Sequence, residues 1–376
     1  MSKKVALVYD AIYPFIKGGG ERRFYELGRH LVKQGYEVHL YGMKLWDGPK
    51  VIEYDGLILH GISKSLPLYA PSGRRSISQA LRFGLSAFKL LFADFDVIDC
   101  CGFPYFSLFP CKLAALIKRK PLFATWHEVW GKKYWNDYLG KVLGPLGYGV
   151  ELLATKTPDC IVACSQHTAD LLQKNFNAKN VAVLPNGIDM QVISQLEAAE
   201  EDADIMYAGR LIDFKNLDMV IQAMALLKKE GVLLRFKVIG EGPAKSDLKR
   251  FAKKLGVGEQ ISWLGFFEKS EDVYAHMKST KTFVLASQRE GFGIVAIEAN
   301  ACGTPVVTAN FASNAATGLI EEGVNGYVFE PNAVDLAKTL KKVIKNKQKL
   351  EESSINIAKR YTWEELAPQQ AEVYAL

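Results

Sequence analysis

Ser287-Gln288-Arg289-Glu290-Gly291-Phe292-Gly293-Ile294-Val295-Ala296-Ile297-Glu298-Ala299 lies between two apolar runs. Residues 282–286 before it read as a buried strand, and Pro305-Val306-Val307 after it opens another. From Ile294 to Cys302 the apolar residues keep helical spacing, and Gly303 stands where a helix ends. Strand, loop, helix and strand in that order form the repeating unit of a parallel α/β sheet. A strand therefore delivers Glu290 to a loop in which Gly291 and Gly293 let backbone approach a ligand closely. The helix start offers free N–H groups to an anion, with Glu298 about one turn inside. An anion seat bracketed by two carboxylates suits a ligand with phosphates at one place and hydroxyl-rich sugars on both sides.

The same alternation extends outward along the chain. In the second half, residues 205–208, 236–239, 261–264, 283–286 and 306–308 read as strands, with helices over 216–229, 245–255 and 334–345. In the first half, near-continuous apolar runs at 5–9, 37–41, 97–101, 122–125, 160–164 and 181–184 suit strands covered on both faces. Helical stretches there cover 21–34, 76–92 and 104–119. The pattern predicts an α/β fold of two Rossmann-like, doubly wound domains, residues 1–184 and 185–360, joined near Pro185-Asn186-Gly187-Ile188-Asp189 and facing across a cleft. Residues 361–376, amphipathic and carrying Trp363, are expected to pack back across the boundary as a helix.

Bulk properties narrow the class. A chain of 376 residues, 49% hydrophobic and 23% charged, has the composition of an ordinary globular protein large enough for two cores. No apolar run approaches the roughly 20 residues that span a bilayer. The opening residues read as a first strand rather than a signal peptide. Most of the six cysteines sit in apolar strand-like runs and lack loop-borne metal spacing. They point to reduced thiols in a cytoplasmic compartment, with neither a disulfide nor a metal site. The net charge of +6 is uneven: residues 1–184 carry 24 Lys and Arg against 15 Asp and Glu, and the remainder carries 23 against 26. The basic half and the mildly acidic half are expected to meet different partners.

Four further segments carry chemistry. Gly18-Gly19-Gly20-Glu21-Arg22 lies between the first strand and the first helix, where glycines admit phosphate or a reacting sugar; it matches neither a P-loop nor a dinucleotide fingerprint. Ala208-Gly209-Arg210 ends one strand and Lys215-Asn216 opens the next helix, so both cations reach the same sheet end as Glu290 and can neutralise a diphosphate. His127, in Thr125-Trp126-His127-Glu128, also follows a strand and can hydrogen-bond a sugar hydroxyl or meet charge near a reaction centre. Gly240-Glu241-Gly242-Pro243 and Trp263-Leu264-Gly265-Phe266 are strand ends placed to frame a base.

Taken in order, Gly-Gly-Gly-Glu-Arg, Thr-Trp-His-Glu, Pro-Asn-Gly-Ile-Asp, Gly-Arg-Leu…Lys-Asn and Glu-Gly-Phe-Gly-(x)4-Glu-Ala resemble the retaining GT-B glycosyltransferases of family 4, over essentially the whole chain. The resemblance implies that Arg210 and Lys215 hold the donor diphosphate, Glu290 the hydroxyls of the transferred sugar, and Glu298 the ribose. It further implies that Phe292 and Gly293 set backbone against phosphate and sugar, that Gly19 and Gly20 border the reaction centre, and that His127 faces the donor sugar. The implied catalytic set is His127, Arg210, Lys215 and Glu290; Gly240, Gly265 and Phe266 complete the donor pocket. By the same resemblance no metal and no cofactor is needed beyond the nucleotide-diphosphate sugar itself. Two positions depart from the family pattern. Ala286-Ser287 stands where Pro-Ser is common, and residues 310–316 replace a Gly-Gly-x-x-Glu segment near the donor's phosphate and sugar.

The implied reaction moves a hexosyl unit from a UDP- or GDP-linked donor to an acceptor hydroxyl with retention. Three rivals are a glycoside hydrolase using the paired glutamates, a non-catalytic nucleotide-sugar sensor, and an epimerase. The hydrolase explains neither the cations nor the helix-start anion seat, and intact motif residues argue against the sensor. For the acceptor, Arg22, Arg23, Arg74, Arg75, Arg82 and Lys89, with Trp46, Phe83, Phe88 and Phe92, suit an anionic membrane surface. Residues 76–92 then read either as an interfacial amphipathic helix or as a core-packing one. The expected acceptor is a glycan or lipid-phosphate-linked sugar, reached peripherally at the inner face of the membrane. Scattered basic residues without a recognised motif argue against nucleic acid.

Overall fold

The structure is a computed structural model and describes residues 2–69 and 74–375. Leu376, the last residue of the terminal segment considered above, lies outside them. The chain divides into two compact units: Met1–Gly187 with Trp363–Leu376, and Ile188–Thr362.

The first unit is built on strands β1 (Lys4–Val8), β2 (Glu37–Lys44), β3 (Val51–Tyr54), β4 (Leu57–Lys64), β5 (Val97–Cys101), β6 (Leu122–Trp126), β7 (Cys160–Ala163) and β8 (Val181–Val183). They form one sheet in the order β3-β4-β2-β1-β5-β6-β7-β8, parallel except for the edge strand β3. Helices α1 (Gly19–Lys33), α2 (Ile77–Ser86), α3 (Leu108–Lys118), α4 (Gly131–Ala154) and α5 (Gln166–Phe176) connect them. Strand parity assigns the two faces. Ala6, Val8, Ile98, Cys100 and Ala124 share a core with α2, α3, α4 and α5. Val5, Leu7, Val97, Phe123 and Val162 share the other with α1 and the terminal helix.

The edge hairpin β3–β4 turns on Asp55-Gly56, both at positive φ. Helix α4 contains five glycines and Pro145, and it is two helices meeting at Gly140, whose φ of 81° and ψ of 170° break the ladder. Its start is held by Glu151, a fully buried carboxylate that accepts from Trp130 N at 2.8 Å, Gly131 N at 2.9 Å and Trp135 Nε1 at 2.8 Å. Three donors on one carboxylate explain how a charge is tolerated there.

The second unit contains α6 (Met190–Gln195), β9 (Ala203–Ala208), α7 (Leu217–Lys229), β10 (Phe236–Ile239), α8 (Lys245–Lys254), β11 (Ile261–Gly265), α9 (Ser270–Lys278) and β12 (Thr280–Leu285). It continues through β13 (Arg289–Glu290), α10 (Ile294–Ala301), β14 (Val306–Ala309), β15 (Ser313–Asn314), β16 (Gly326–Phe329), α11 (Ala333–Lys345) and α12 (Lys347–Ala358). The main sheet runs β11-β10-β9-β12-β14-β16, all parallel. Order reverses between β9 and β12, so the crevice at their carboxyl ends is a topological switch point.

The final helix α13 (Trp363–Ala375) belongs to the first unit. Trp363 is buried there near His30, and a Cβ on Gly187 would lie 2.4 Å from its indole. Tyr374 donates to the buried carboxylate of Asp99 at 2.6 Å, which also accepts from Thr125 Oγ1 at 2.9 Å. Arg23, placed on the basic surface by its sequence context, is instead 1% exposed and donates to Pro185 O at 2.6 Å and Asn186 Oδ1 at 2.9 Å. Its guanidinium ties the end of the first unit to α1.

Candidate active site

In the second unit the switch point gathers the residues that sequence spacing singled out. Arg210 leaves the end of β9 exposed to solvent, and Lys215 closes a short 3-10 turn before α7. Asn216, at a positive φ of 51°, donates to Ala286 O at 3.0 Å, and Gln288 N donates to Phe214 O at 2.8 Å. These bonds pin the loop after β9 to the loop after β12. Across them Lys215 Nζ meets Glu290 Oε1 at 2.5 Å, with both side chains only about one-sixth exposed (16% and 14%). Two residues 75 positions apart thus form one charged unit beside the crevice.

The segment 310–316, where this chain departs from the family pattern, supports that unit from below. Glu290 pairs with Asn314 in the short β13–β15 ladder. Asn314 is buried; its Nδ2 donates to Thr308 Oγ1 at 3.0 Å and Ala309 O at 2.8 Å, and its Oδ1 accepts from Ala316 N at 3.1 Å. Gly293 precedes α10 at φ 88°, and a Cβ there would lie 2.7 Å from that of Ala316. Glycine is therefore required for the close approach as well as for the backbone angle. Phe292 turns its side chain into the core, its ring 6.0 Å from that of Tyr361, and leaves the backbone to the loop. Glu298, one turn into α10, accepts from the buried Tyr274 hydroxyl at 2.7 Å. Each glutamate therefore has its own partner.

The flanking strand ends have different characters. Gly240, at φ 133°, receives its contact from backbone: a Cβ would lie 1.9 Å from Gly209 O. Gly265, at φ 77°, has Glu241 Oε1 at 3.4 Å from its Cβ position, and Phe266 is exposed. Gly240→Ala is expected to cost on the order of 3 kcal/mol, lowering the melting temperature by about 5–10 °C. Gly19→Ala in the first unit should leave melting unchanged, because nothing lies within 4 Å of its Cβ. If Gly19 borders the reaction centre, as the family resemblance implies, the same change should lower transfer about tenfold or more. Differential scanning fluorimetry beside a transfer assay checks both; unchanged transfer by Gly19→Ala would remove this glycine from the reaction centre.

In the first unit, Gly20 lies in the first turn of α1, with His127 Nε2 only 3.3 Å and Tyr9 Oη 3.2 Å from where its Cβ would stand. His127 Nε2 is buried and has no hydrogen-bond partner. Burial, and secondarily the charge of Arg23, pull the imidazole down to about 3. It is therefore neutral at physiological pH, available to donate or accept one hydrogen bond. Because its folded value lies below the usual 6.5, the stability linked to this group is complete above about pH 6.5 and falls as the pH drops from there toward 3. Imidazole NMR of the ligand-free protein should show His127 untitrated from about pH 5 to 8; a midpoint near its ordinary value would contradict this burial.

Within electrostatic reach of Glu21 and Tyr9 stands a polar group absent from the sequence reading. Asp10 is fully buried after β1, paired with Arg75 and accepting from Gln79 Nε2 at 2.9 Å. Burial raises the carboxyls of Asp10 and Glu21 above the ordinary range. Arg75 N donates to Tyr138 Oη at 2.8 Å, and Arg74 lies 5.2 Å over the same ring. Arg75 thus serves a buried carboxylate rather than a free basic surface. Tyr274, Asn314 and Asp10 were missed because each acts through tertiary contacts that no local spacing marks.

Among the described residues no group of three or more His, Cys, Asp or Glu side chains is placed to hold a metal ion, and all six cysteines are free thiols.

Comparison with known proteins accords with this geometry. Residues 17–192 match the Glycosyltransferase Family 4 model, and residues 191–361 match Glycosyl transferases group 1. An uncharacterized glycosyltransferase of Haemophilus influenzae is 27% identical over 88% of this chain and 87% of its own. The N-acetylgalactosamine-N,N'-diacetylbacillosaminyl-diphospho-undecaprenol 4-alpha-N-acetylgalactosaminyltransferase of Campylobacter jejuni is 33% identical over 49% of this chain and 48% of its own. Anabaena HepE in complex with UDP-glucose has a TM-score of 0.72 at 19% identity, covering 99% of both chains. With both halves matched in consecutive order and the sheet topologies found above, the chain belongs to the GT-B glycosyltransferases of group 1 and family 4.

Proposed function

We propose that the protein transfers a hexosyl unit from a nucleoside-diphosphate sugar, UDP- or GDP-linked, to a lipid-phosphate-linked saccharide, with retention and without a resident metal. The observation that carries this reading is the Lys215–Glu290 pair at the switch point, with the start of α10 beside it. Arg210, Lys215 and the free N–H groups of α10 supply positive potential where a diphosphate would lie. Glu290 grips the sugar hydroxyls, and Glu298, oriented by Tyr274, grips the ribose. As the bond from anomeric carbon to phosphate oxygen breaks, negative charge grows on the phosphate, and these groups stabilise it more in the transition state than in the ground state. The acceptor oxygen attacks from the same face, its proton passes to the departing phosphate oxygen, and the nucleoside diphosphate leaves. His127, neutral beside Gly20, hydrogen-bonds the sugar and does not need to titrate.

Separate partners for the two glutamates favour transfer over hydrolysis, in which both would share one bond. The acceptor assignment draws on the basic first half and on the Campylobacter relative, whose name specifies a diphospho-undecaprenol acceptor. The donor assignment draws support from the HepE complex with UDP-glucose. The test is a thermal-shift screen of UDP-, GDP- and ADP-sugars followed by transfer assays. A cognate donor at about 100 times its Kd should stabilise the folded chain by about 2.7 kcal/mol. No stabilisation by any nucleotide sugar, with free sugar released from an oligosaccharide alone, would overturn the proposal.

A further inference from the structure

The sheet of the first unit has a switch point of its own. From β1 the chain passes to β2 on one side and later to β5 on the other, so a crevice opens at the carboxyl ends of β1 and β5. Asp10 follows β1, Phe103 follows β5, and Trp130 follows β6, the next strand in the sheet. An aromatic cluster stands at this end. Its inner members Tyr105, Trp126 and Trp135 are buried and belong to the core. Its outer members Phe103, Trp130, Tyr134 and Tyr138 are only half-buried. Residues 130, 134 and 138 recur every four positions, which puts them on one side of the start of α4.

The outer rings are ordered among themselves. Those of Tyr134 and Tyr138 are nearly parallel, at 14° with centroids 5.9 Å apart. Trp130 stands across both, its centroid 4.5 Å from one and 5.0 Å from the other, at 75° and 69°. Two devices fix them. The buried Glu151 carboxylate accepts from Trp130 N, Gly131 N and Trp135 Nε1, so a charge in the core holds the indoles. Arg75 N donates to Tyr138 Oη at 2.8 Å, while the Arg75 side chain pairs with Asp10. Both Arg75 and Asp10 are within electrostatic reach of Glu21, next to Gly19 and Gly20 in the first turn of α1. Apolar packing alone does not call for a buried carboxylate. A recognition surface gains from rings that are held in place before the ligand arrives.

Ring chemistry selects the occupant. A pyranose presents a C–H face that packs on an aromatic face, and a rim of hydroxyls that needs polar neighbours. Arg74 is exposed and lies 5.2 Å from the centroid of the Tyr138 ring, which sets its planar array of N–H donors beside the rings. A hydrocarbon chain would leave those donors without acceptors; a sugar supplies them.

We propose that Trp130, Tyr134 and Tyr138 form a saccharide subsite of the first unit, on which a pyranose ring of the acceptor stacks by its C–H face with Arg74 at its rim. The proposal rests on the saccharide acceptor inferred above and names the side chains that select it. Saturation-transfer NMR of the full chain tests it, with the methyl glycosides of glucose, galactose, mannose, N-acetylglucosamine and N-acetylgalactosamine as probes. At least one glycoside should receive saturation chiefly on the ring protons of one face. Tyr134→Ala and Tyr138→Ala should each weaken its binding about tenfold or more. Tyr134→Phe should retain it, because the ring rather than the hydroxyl makes the contact. Melting reports the folding of each variant, and Tyr134 lies outside the core cluster. In transfer assays Tyr134→Ala should raise the acceptor KM about tenfold or more and leave the donor KM unchanged. Glycoside binding is read without donor or turnover, so its failure is distinct from a failure of nucleotide sugars to bind. No saturation of any of these glycosides, or equal saturation in the parent and both alanine variants, would overturn the proposal. So would a signal lost in Glu290→Gln and kept in the tyrosine variants, since the glycoside would then occupy the donor site.

Discussion

Arg210→Ala and Lys215→Ala should each lower glycosyl transfer by about 10²–10³ while the protein remains folded. Both side chains follow the carboxyl end of β9, where the proposed mechanism places the departing diphosphate. Arg210 is exposed, so its truncation should change stability by no more than about 0.5 kcal/mol. Lys215 is less accessible, and its loss strands the Glu290 carboxylate, a cost of about 1–3 kcal/mol. That is a minor part of the stability of an ordinary domain. The measurement is turnover at saturating donor beside circular dichroism and melting. Near-parental turnover in both variants would remove them from the diphosphate.

The second large effect concerns coupling. Glu290→Gln should reduce transfer by about two orders of magnitude or more, as removal of a positioned polar group commonly does. The ion pair at 2.5 Å adds a condition: Glu290 also orients Lys215. The double variant Lys215→Ala/Glu290→Gln should therefore fall only slightly below the worse single one. The interaction energy in kcat/KM should be on the order of 1–3 kcal/mol. Independent roles would instead multiply the two losses. Strict additivity would show that the carboxylate grips the sugar without help from the lysine.

The sequence was most legible where strands are buried on both faces. Residues 97–101 and 236–239 match β5 and β10 to the residue, because continuous apolar runs between turns leave little choice of register. Helices with a clear apolar stripe, such as α1, were similarly bounded to within two residues. The hairpin β3–β4 was missed although Asp55-Gly56 marks its turn; its outer strand alternates exposed and half-buried residues and carries no continuous run. Helix α4 was missed for the opposite reason, since Gly140, Gly144, Pro145, Gly147 and Gly149 erase its helical period. Tertiary support overrides that weakness: Glu151 satisfies the N–H groups at its start.

The site divides in the same way. Spacing assigns Arg210, Lys215, Glu290 and Glu298 to one end of the sheet because the ends of parallel strands must converge, whatever lies between them. What spacing could not express is their pairing. Lys215 reaches Glu290 rather than solvent, and Glu298 rests on Tyr274. The basic first half was legible as a sum and misleading in detail, since Arg23 and Arg75 serve buried acceptors.

The most direct test of the transfer mechanism is an NMR time course of the protein with its stabilising nucleotide sugar and a membrane-derived acceptor. The account predicts one nucleoside diphosphate released per new glycosidic bond, with the anomeric configuration of the donor preserved in the product. A product of inverted configuration, or free sugar appearing without nucleotide release, would contradict it.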